Sequence, residues 1–409
     1  MKFNKWTTGL AAIGVVSLAS AAQAQETTAM SQVQTALANT TLSGYVDTAA
    51  TWRPGTDQRV SGGPNMPAYA FSKNDGFSLN AVDIRLDRPL DESQWAAGYR
   101  VEMMLGPDAA GLGGFAGAGT DTAIRNAYVA LRTPVGNGID WKVGVWDSIL
   151  GYENTSSSLD PNYTRSYGYT ILPRTFTGVL ASYKLNDMLS VQAGIADSLS
   201  GTDPVSTGIE SQKAYMGAVT FTAPDSAGWM QGATFTAGVI DSAGNSSATG
   251  TAIPGTGGTK VGSAGNGYTI FHADATIPTP ATALKVGAAF DYDDLHNGAG
   301  TGSTNPSNDN TWVIGGYGSY QATDKLSLNL RGEYVSSDGS GLYDTAAHPG
   351  NAAEELTATA QYNLWANVIS RLEFRWDHVE HGNAFGANSA GAAFRDNDFL
   401  LALNLIYQF

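Results

Sequence analysis

The sequence predicts an all-β fold, a transmembrane antiparallel up-and-down β-barrel of about 16 strands with short periplasmic turns and long external loops. Three observations carry this prediction. Residues 399–409 place an apolar side chain at every second position and stop on Phe409, as in a strand whose two faces meet different surroundings. Strand-like segments recur along the chain, with alternately short and long connections. The N-terminus has the composition of a secretory signal.

The N-terminal signal is predicted from its order of charged, apolar and small residues. Lys2 and Lys5 are basic, 9–19 form a short apolar core, and 22–24 (Ala-Gln-Ala) offer small residues for cleavage. Such a segment is too short to span a membrane; a retained anchor helix is the alternative. The predicted divisions are a signal peptide over 1–24, a periplasmic segment over 25–40 and a barrel over 41–409.

Alternation with period two marks the strands. In one segment Leu372, Phe374 and Trp376 oppose Arg371 and Glu373. A soluble sandwich could also alternate, but tight turns alternating with long loops favour a barrel. Strands are predicted near 41–53, 77–88, 95–106, 123–133, 139–147, 175–185, 189–197, 213–223, 232–240, 267–277, 284–292, 311–321, 325–335, 355–364, 367–378 and 398–409. The long connections are 54–76, 107–122, 148–174, 198–212, 241–266, 293–310, 336–354 and 379–397.

Aromatic residues gather near the predicted strand ends, where barrels carry girdles at the two membrane interfaces. The residues concerned are Trp52, Trp95, Trp141, Phe176, Tyr183, Trp312, Tyr320, Tyr362, Trp365, Trp376 and Tyr407. Their collective placement supports the barrel, whereas any single one is more simply explained by packing.

Composition excludes several functions. The formal net charge is −15, and it would be −17 without Lys2 and Lys5, so a nucleic-acid partner is not expected. The chain has no cysteine, which excludes disulfides and thiolate metal sites. No run of some 18 apolar residues follows the signal, so no transmembrane helix is predicted. No cofactor is predicted either, because no nucleotide-binding loop occurs.

Charged residues on the predicted lumen face could tune a channel or tie neighbouring strands together. These are Asp47, Asp83, Arg85, Asp87, Arg100, Glu102, Arg331, Glu333, Arg371, Glu373, Arg375 and Asp377. The connection from Asp147 to Arg174 is the best candidate for a loop that folds inward, since it is long and mixes acids, bases and tyrosines. The hypothesis is a pore constriction formed by Glu153, Asp160, Arg165, Arg174, Arg85, Arg100, Glu102, Arg331 and Glu333. A solvated external loop is the alternative, and both remain open.

Four stretches carry a family resemblance: LSGYVDTAATW (42–52), FSLNAVDIRLDRPLD (77–91), residues 125–170, and FTGVLASYKLNDMLSVQAGIADS (176–198). Within the third, Gly-Tyr-Glu at 151–153 is followed by Thr-Arg-Ser at 164–166. In order and spacing, residues 41–197 resemble the putative β-barrel porin-2, OmpL-like, family. The second half resembles it in barrel pattern and final aromatic residue. The resemblance implies an outer-membrane pore and supplies no substrate.

The expected function is an outer-membrane porin, a non-enzymatic channel for passive diffusion of small hydrophilic solutes and ions, with mild cation preference from the acidic excess. The expected partners are outer-membrane lipid and lipopolysaccharide, the barrel-assembly machinery through Phe409, and the solutes themselves. Assembly as a homotrimer is left open. The alternative is a surface-binding or adhesin-type barrel that acts through its external loops.

A third alternative is a barrel hydrolase. Asp377-His378 and the segment 293–296 (Asp-Asp-Leu-His) pair acids with histidine. Alternation, however, puts His378 on the lipid-side face of Trp376. The acidic pieces 291–294 and 338–341 offer oxygen atoms to Ca²⁺ but lack the ligand spacing of an EF-hand, so no metal site is predicted.

Overall fold

The computed structural model describes residues 39–54, 75–109, 115–116, 122–197, 213–242, 267–296, 309–338, 351–386 and 395–409. The predicted signal peptide and nearly all of the periplasmic segment lie outside the described residues and stay predictions. The strands are β1 (Thr41–Trp52), β2 (Gly76–Arg88), β3 (Ala97–Leu105), β4 (Phe115–Ala116), β5 (Thr122–Thr133), β6 (Ile139–Asp147), β7 (Thr175–Lys184), β8 (Leu189–Ala196), β9 (Ala214–Thr222), β10 (Thr234–Ser242), β11 (Gly267–Pro278), β12 (Leu284–His296), β13 (Asp309–Gln321), β14 (Leu326–Asp338), β15 (Ala352–Trp365), β16 (Val368–Val379) and β17 (Asn397–Gln408). A five-residue helix, α1 (Tyr167–Ile171), and a 3-10 turn (Asp225–Met230) are the described helical elements.

The sheet closes on itself, which confirms the predicted barrel. Apart from the two-residue β4, sixteen strands each pair antiparallel with both neighbours. β17 pairs with β1 through partners such as Tyr45 and Gln408. The backbone N–H and C=O of Phe409 both bond to Gly44, at 3.0 Å each. Both edges of each of these sixteen strands are therefore paired, the condition for a sheet to cross a membrane. Within the described part of the chain, no helix is both long and apolar enough for a membrane span.

Strand ends at the side of the long connections extend further than predicted. β12 runs to His296, β14 runs to Asp338, and β15 begins at Ala352, because cross-strand backbone bonding continues past the apolar zone into polar sequence. The segment 291–296 is therefore strand, and its interpretation as an acidic loop piece was wrong. β3 begins at Ala97, two residues late, because the left-handed backbone of Trp95 (φ 64°) breaks the strand.

The two faces follow the predicted alternation. On β17, Leu401, Leu403 and Leu405 are exposed to the outside, whereas Asn404 is fully buried towards the interior. The charged residues predicted to face the lumen occupy inward positions on their strands. Most of the aromatic set is exposed or half-buried, as a girdle requires. The assignment of Phe176 to the girdle was wrong, because its side chain points inward and packs with Trp146 in a buried apolar cluster.

Candidate functional site

The connection after β6, residues 148–174, lies inside the barrel, the inward arrangement that the sequence left open. We call it the crossing loop. Its middle residues bond to inward side chains of β14, β15 and β16. In the ring of strands these lie about halfway round from β6 and β7, where the loop begins and ends. A segment anchored at one wall and bonded to the opposite wall crosses the interior.

The start of the crossing loop fits into notches left by wall glycines. A methyl group added at Gly238 on β10 would overlap Leu150, and one added at Gly287 on β12 would overlap the Tyr152 hydroxyl. Tyr152 also stacks on Tyr317 of β13, with ring centroids 4.0 Å apart. Both glycines are needed here because a side chain would fill the space that the loop occupies.

The loop then runs along β16 and satisfies the charges of that strand in order. Arg371 Nη2 donates to the Ser157 carbonyl at 2.9 Å. Glu373 accepts from the backbone N–H groups of Tyr163 at 2.5 Å and Thr164 at 2.9 Å. Guanidinium bonds to a carbonyl and carboxylate bonds to N–H groups are charge-assisted. Wall charges thus replace the hydrogen bonds that the buried loop backbone would make with water.

The C-terminal half of β16 also bonds to the loop through its charged residues. Arg375 Nη1 donates to the Arg165 carbonyl at 2.6 Å, and the Tyr167 hydroxyl donates to Asp377 at 2.7 Å. Glu333 on β14 accepts from the Tyr167 N–H, the first residue of α1. A carboxylate at this end satisfies N–H groups that the helix leaves free.

Arg331 on β14 joins the loop to the wall through two carboxylates. Its guanidinium lies 2.6 Å from Glu153 of the loop and 2.6 Å from Glu355 of β15, and it donates to the Thr164 carbonyl at 2.9 Å. All three charged side chains are buried. The hypothesis of a constriction included Glu153 of the loop and Arg331 of the wall in one set, and the structure brings these two into direct contact.

A second ion pair joins two residues of the predicted set within the loop. Asp160 and Arg165 are 3.0 Å apart and both are buried. Burial, with a smaller contribution from neighbouring Glu153, raises the pKa of Asp160 to about 7, although the Arg165 guanidinium opposes the shift. The ring of Tyr169 lies between two cations, 5.4 Å from Arg165 and 4.5 Å from Arg174. These contacts fix the fold of the loop itself.

The remaining predicted residues form a separate cluster on β2, β3 and β5. Glu102 is fully buried and contacts Arg85 at 3.0 Å, Arg100 at 3.1 Å and Arg125 at 2.5 Å. Arg125 continues to Asp147 at 3.0 Å. Arg85 and Arg100 keep 21% and 24% of their side chains exposed. Among the described contacts none joins Arg85 or Arg100 to the loop acids, so the nine predicted residues form two groups.

Arg125 was missed by the sequence analysis because a β-bulge breaks the alternation. Glu102 pairs with Asn126, and the next residue, Met103, pairs with Ile124, so Arg125 is the extra residue. A bulge lets two successive side chains point the same way. Arg125 and Asn126 accordingly both bond to Glu102. The signal available in the sequence was the pair of successive polar residues Arg125 and Asn126, which breaks the alternation of the strand.

Part of the interior wall away from the loop carries uncharged polar side chains. On β7 and β8 the Gln192 amide donates to Ser182 at 3.1 Å, and on β9 and β10 Thr220 and Thr236 are 3.3 Å apart. A cavity of about 560 Å³ opens against Ser182 and Gln192, and its lining also includes the charged residues Arg132, Asp140, Lys184 and Asp187. Hydroxyl and amide groups of this kind keep a wall wetted without attracting one sign of charge.

Two histidines bear on the enzymatic alternative. His272 on β11 is buried inward between Asp274 at 2.8 Å and Asp291 at 2.6 Å, an arrangement that the sequence did not reveal. His378 stacks on Trp376, 5.9 Å between ring centroids, on the outward face that alternation predicted. Asp377 faces inward, so Asp377 and His378 point to opposite sides of the wall. No group of three potential metal ligands occurs among the described residues.

A closed barrel of sixteen antiparallel strands, polar inside and crossed by an internal loop, has the architecture of a porin-type outer-membrane β-barrel. The family model described as "putative beta-barrel porin-2, OmpL-like" matches residues 39–409. The chain therefore belongs to this family, as its first half suggested.

Solved structures share the fold at low identity. An anion-selective porin from Comamonas acidovorans has a TM-score of 0.59 at 11% identity, covering 90% of this chain and 99% of that one. OmpT, an outer membrane protein of Vibrio cholerae, in trimer form, has 0.58 at 13%, covering 90% and 99%. OmpF of Salmonella typhi, in complex with daunomycin, has 0.56 at 16%, covering 90% and 97%. No protein with a curated description matches the sequence significantly.

Proposed function

We propose that the chain is a diffusion porin, a water-filled outer-membrane channel for small hydrophilic solutes and ions that performs no chemical step. The observation that carries the proposal is the closed sixteen-strand ring with a polar inner wall, in a chain of the porin family. A barrel of this strand number is wide enough for an aqueous channel. Passage down a gradient then needs only a hole of suitable width and lining.

Within this proposal the crossing loop narrows the channel, and the nine candidate residues have two different roles. Glu153, Asp160, Arg165, Arg331 and Glu333 hold the loop against the wall, and Arg174 braces its end on Tyr169. Arg85 and Arg100, kept in place by Glu102, present charge to the solute. The contacts of the loop support the first role, and the partial exposure of the two arginines supports the second.

The proposed ion preference is mildly cationic. The acidic excess of the whole chain, 37 Asp and Glu against 22 Lys and Arg, supports it, because acidic surfaces concentrate cations. Arg85 and Arg100 act in the opposite direction, which keeps the preference small.

The test is a planar bilayer recording of the purified mature protein under a KCl gradient. Large ohmic steps with a cation-favouring reversal potential are expected. An anion-favouring reversal would keep the porin and overturn the cation preference. A correctly folded, heat-modifiable barrel that never conducts would overturn the diffusion porin.

The proposal extends to assembly and export. OmpT of Vibrio cholerae, a structural neighbour, is described in trimer form, and we propose a homotrimer here, to be tested by the mass of the detergent-solubilised particle. Export through the signal peptide over 1–24 and recognition of Phe409 by the barrel-assembly machinery would bring the chain to its membrane. Deletion of Phe409 should lower its yield in the outer membrane.

A further inference from the structure

The crossing loop presents one large apolar side chain to the interior space. Leu159 is 60% exposed, while Ser157, two residues before it, and Asp160, directly after it, are 4% and 1% exposed. An exposed leucine on the outer surface of a protein needs no explanation. The wall residues that bond to the segment around Leu159 are inner-wall side chains, so the space that Leu159 enters is the interior of the barrel.

A tight turn that begins at Ser156 holds the backbone of Leu159. The N–H groups of Leu159 and Asp160 both donate to the Ser156 carbonyl, at 3.0 and 3.2 Å. The Asn154 side chain accepts from the Ser156 N–H at 2.8 Å and closes the turn on its other side. The leucine side chain therefore projects from a rigid backbone.

The base of this turn is fastened to the wall on both sides of Leu159. Arg371 on β16 donates to the carbonyls of Ser157 and Asp160. The Tyr45 hydroxyl on β1 accepts from the Ser157 N–H at 3.3 Å. Because the carbonyls on both sides of Leu159 are held by the wall, its side chain has only the interior to point to.

We propose that Leu159 sets the width of the open channel beside the crossing loop, and so the largest solute that passes. Arg371 is the second inward residue from the short-turn end of β16, after Ile369. The narrowing at Leu159 thus lies towards that end of the barrel. This inference rests on the proposed diffusion function and names the side chain that limits it.

The test is the single-channel conductance of a size series in the full mature protein, Leu159→Ala, the parent and Leu159→Trp. Conductance should fall in that order, with the alanine variant on the order of 1.2- to 2-fold above the parent, because the narrowest section limits conduction. Matched controls are Leu403→Ala and Leu403→Trp on the outer face of β17, where the parent leucine is 56% exposed. Both controls should conduct like the parent.

Equal conductance of the Leu159 alanine and tryptophan variants would overturn the inference. Liposome swelling in a series of sugars of increasing size gives a second measure that needs only the alanine variant, whose size limit should rise. An unchanged limit would also count against Leu159. If the parent itself never conducts, the proposed porin function has failed instead.

Discussion

Two strands carry the same charged motif, and the two motifs differ in burial. β14 has Arg331 and Glu333 two residues apart on its inner face, and β3 has Arg100 and Glu102 in the same spacing. The crossing loop covers the first pair, and Arg331 is fully buried. No described loop contact reaches the second pair, and Arg100 remains partly exposed.

The difference teaches that alternation assigns a side chain to a face and says nothing of what covers that face. A covered arginine between two acids is structural, because removing it leaves buried charges without a partner. A partly solvated one contributes little to stability and remains available to a passing solute. Substitutions can test whether covered arginines stabilise the loop and partly solvated ones act on the solute, beginning with the largest expected effect.

Replacing Arg331 by Ala should destabilise the loop most. Glu153 would be left buried without a cation and Glu355 would keep only Arg375, 3.4 Å away. Breaking a buried ion pair in this way costs about 3–5 kcal/mol. The measurement is the free energy of unfolding in detergent, with limited proteolysis over residues 148–174. The matched variant Arg100→Ala should cost less than about 1 kcal/mol. Equal losses would remove the distinction between the two walls.

Adding a side chain at Gly287 should push the crossing loop off the wall. Valine there would meet the Tyr152 ring, and overpacking of this kind costs about 1–3 kcal/mol. Gly316 on β13 is the control, since no atom lies within 4 Å of a methyl group added there. Faster cleavage of the loop by added protease is expected for Gly287→Val alone. If Gly316→Val has the same effect, strand propensity and not loop docking is responsible.

Loop attachment should weaken as pH rises. The pKa of Asp160 is raised to about 7 by burial, above the ordinary value of about 3.9, so the folded loop binds the proton more tightly than the unfolded chain. The stabilisation is full below about pH 4 and is lost as pH rises through about 7. Hydrogen-exchange protection of the Leu159 and Asp160 amides, corrected for intrinsic rates, should fall between about pH 5 and 8. In the Asp160→Asn variant, the pH dependence of this corrected protection should vanish. If it persists, the titration of another group is responsible.

The smallest expected effect concerns selectivity alone. Arg85→Gln with Arg100→Gln removes two partly exposed cations from the wall, so the reversal potential under a KCl gradient should shift towards cations. The free energy of unfolding should change little, because Glu102 keeps Arg125. The shift should shrink at high salt, where charges are screened. A shift towards anions would contradict the assigned role.

The sequence was sufficient for the fold and for the face of nearly every wall residue. Period-two alternation placed Leu403 outside and Arg331 inside, because burial in a barrel wall depends on parity. Loop length and composition singled out 148–174, although its inward course was only one of two open arrangements. The hypothesis named Glu153 and Arg331 in the same set of nine residues, but it did not say which loop acid contacts which wall arginine.

Other features depend on long-range packing that parity does not encode. The bulge that turns Arg125 inward shifts the register by one residue, and the notch at Gly287 has meaning only once Tyr152 is seated in it. Phe176 was placed in the girdle because a ring near a strand end fits either face. The loop bonds to strands more than 160 residues later in the chain, which local pattern cannot reveal.

Those separations also bear on the order of biogenesis. The Tyr163 N–H donates to Glu373, which lies 210 residues further along the chain. The Ser157 carbonyl accepts from Arg371, which lies 214 residues further along. Until β16 joins the ring, these two backbone groups of the crossing loop lack their wall partners. Docking of the loop against this wall therefore requires a chain inserted as far as β16, and a barrel truncated before that strand would leave the loop without these bonds.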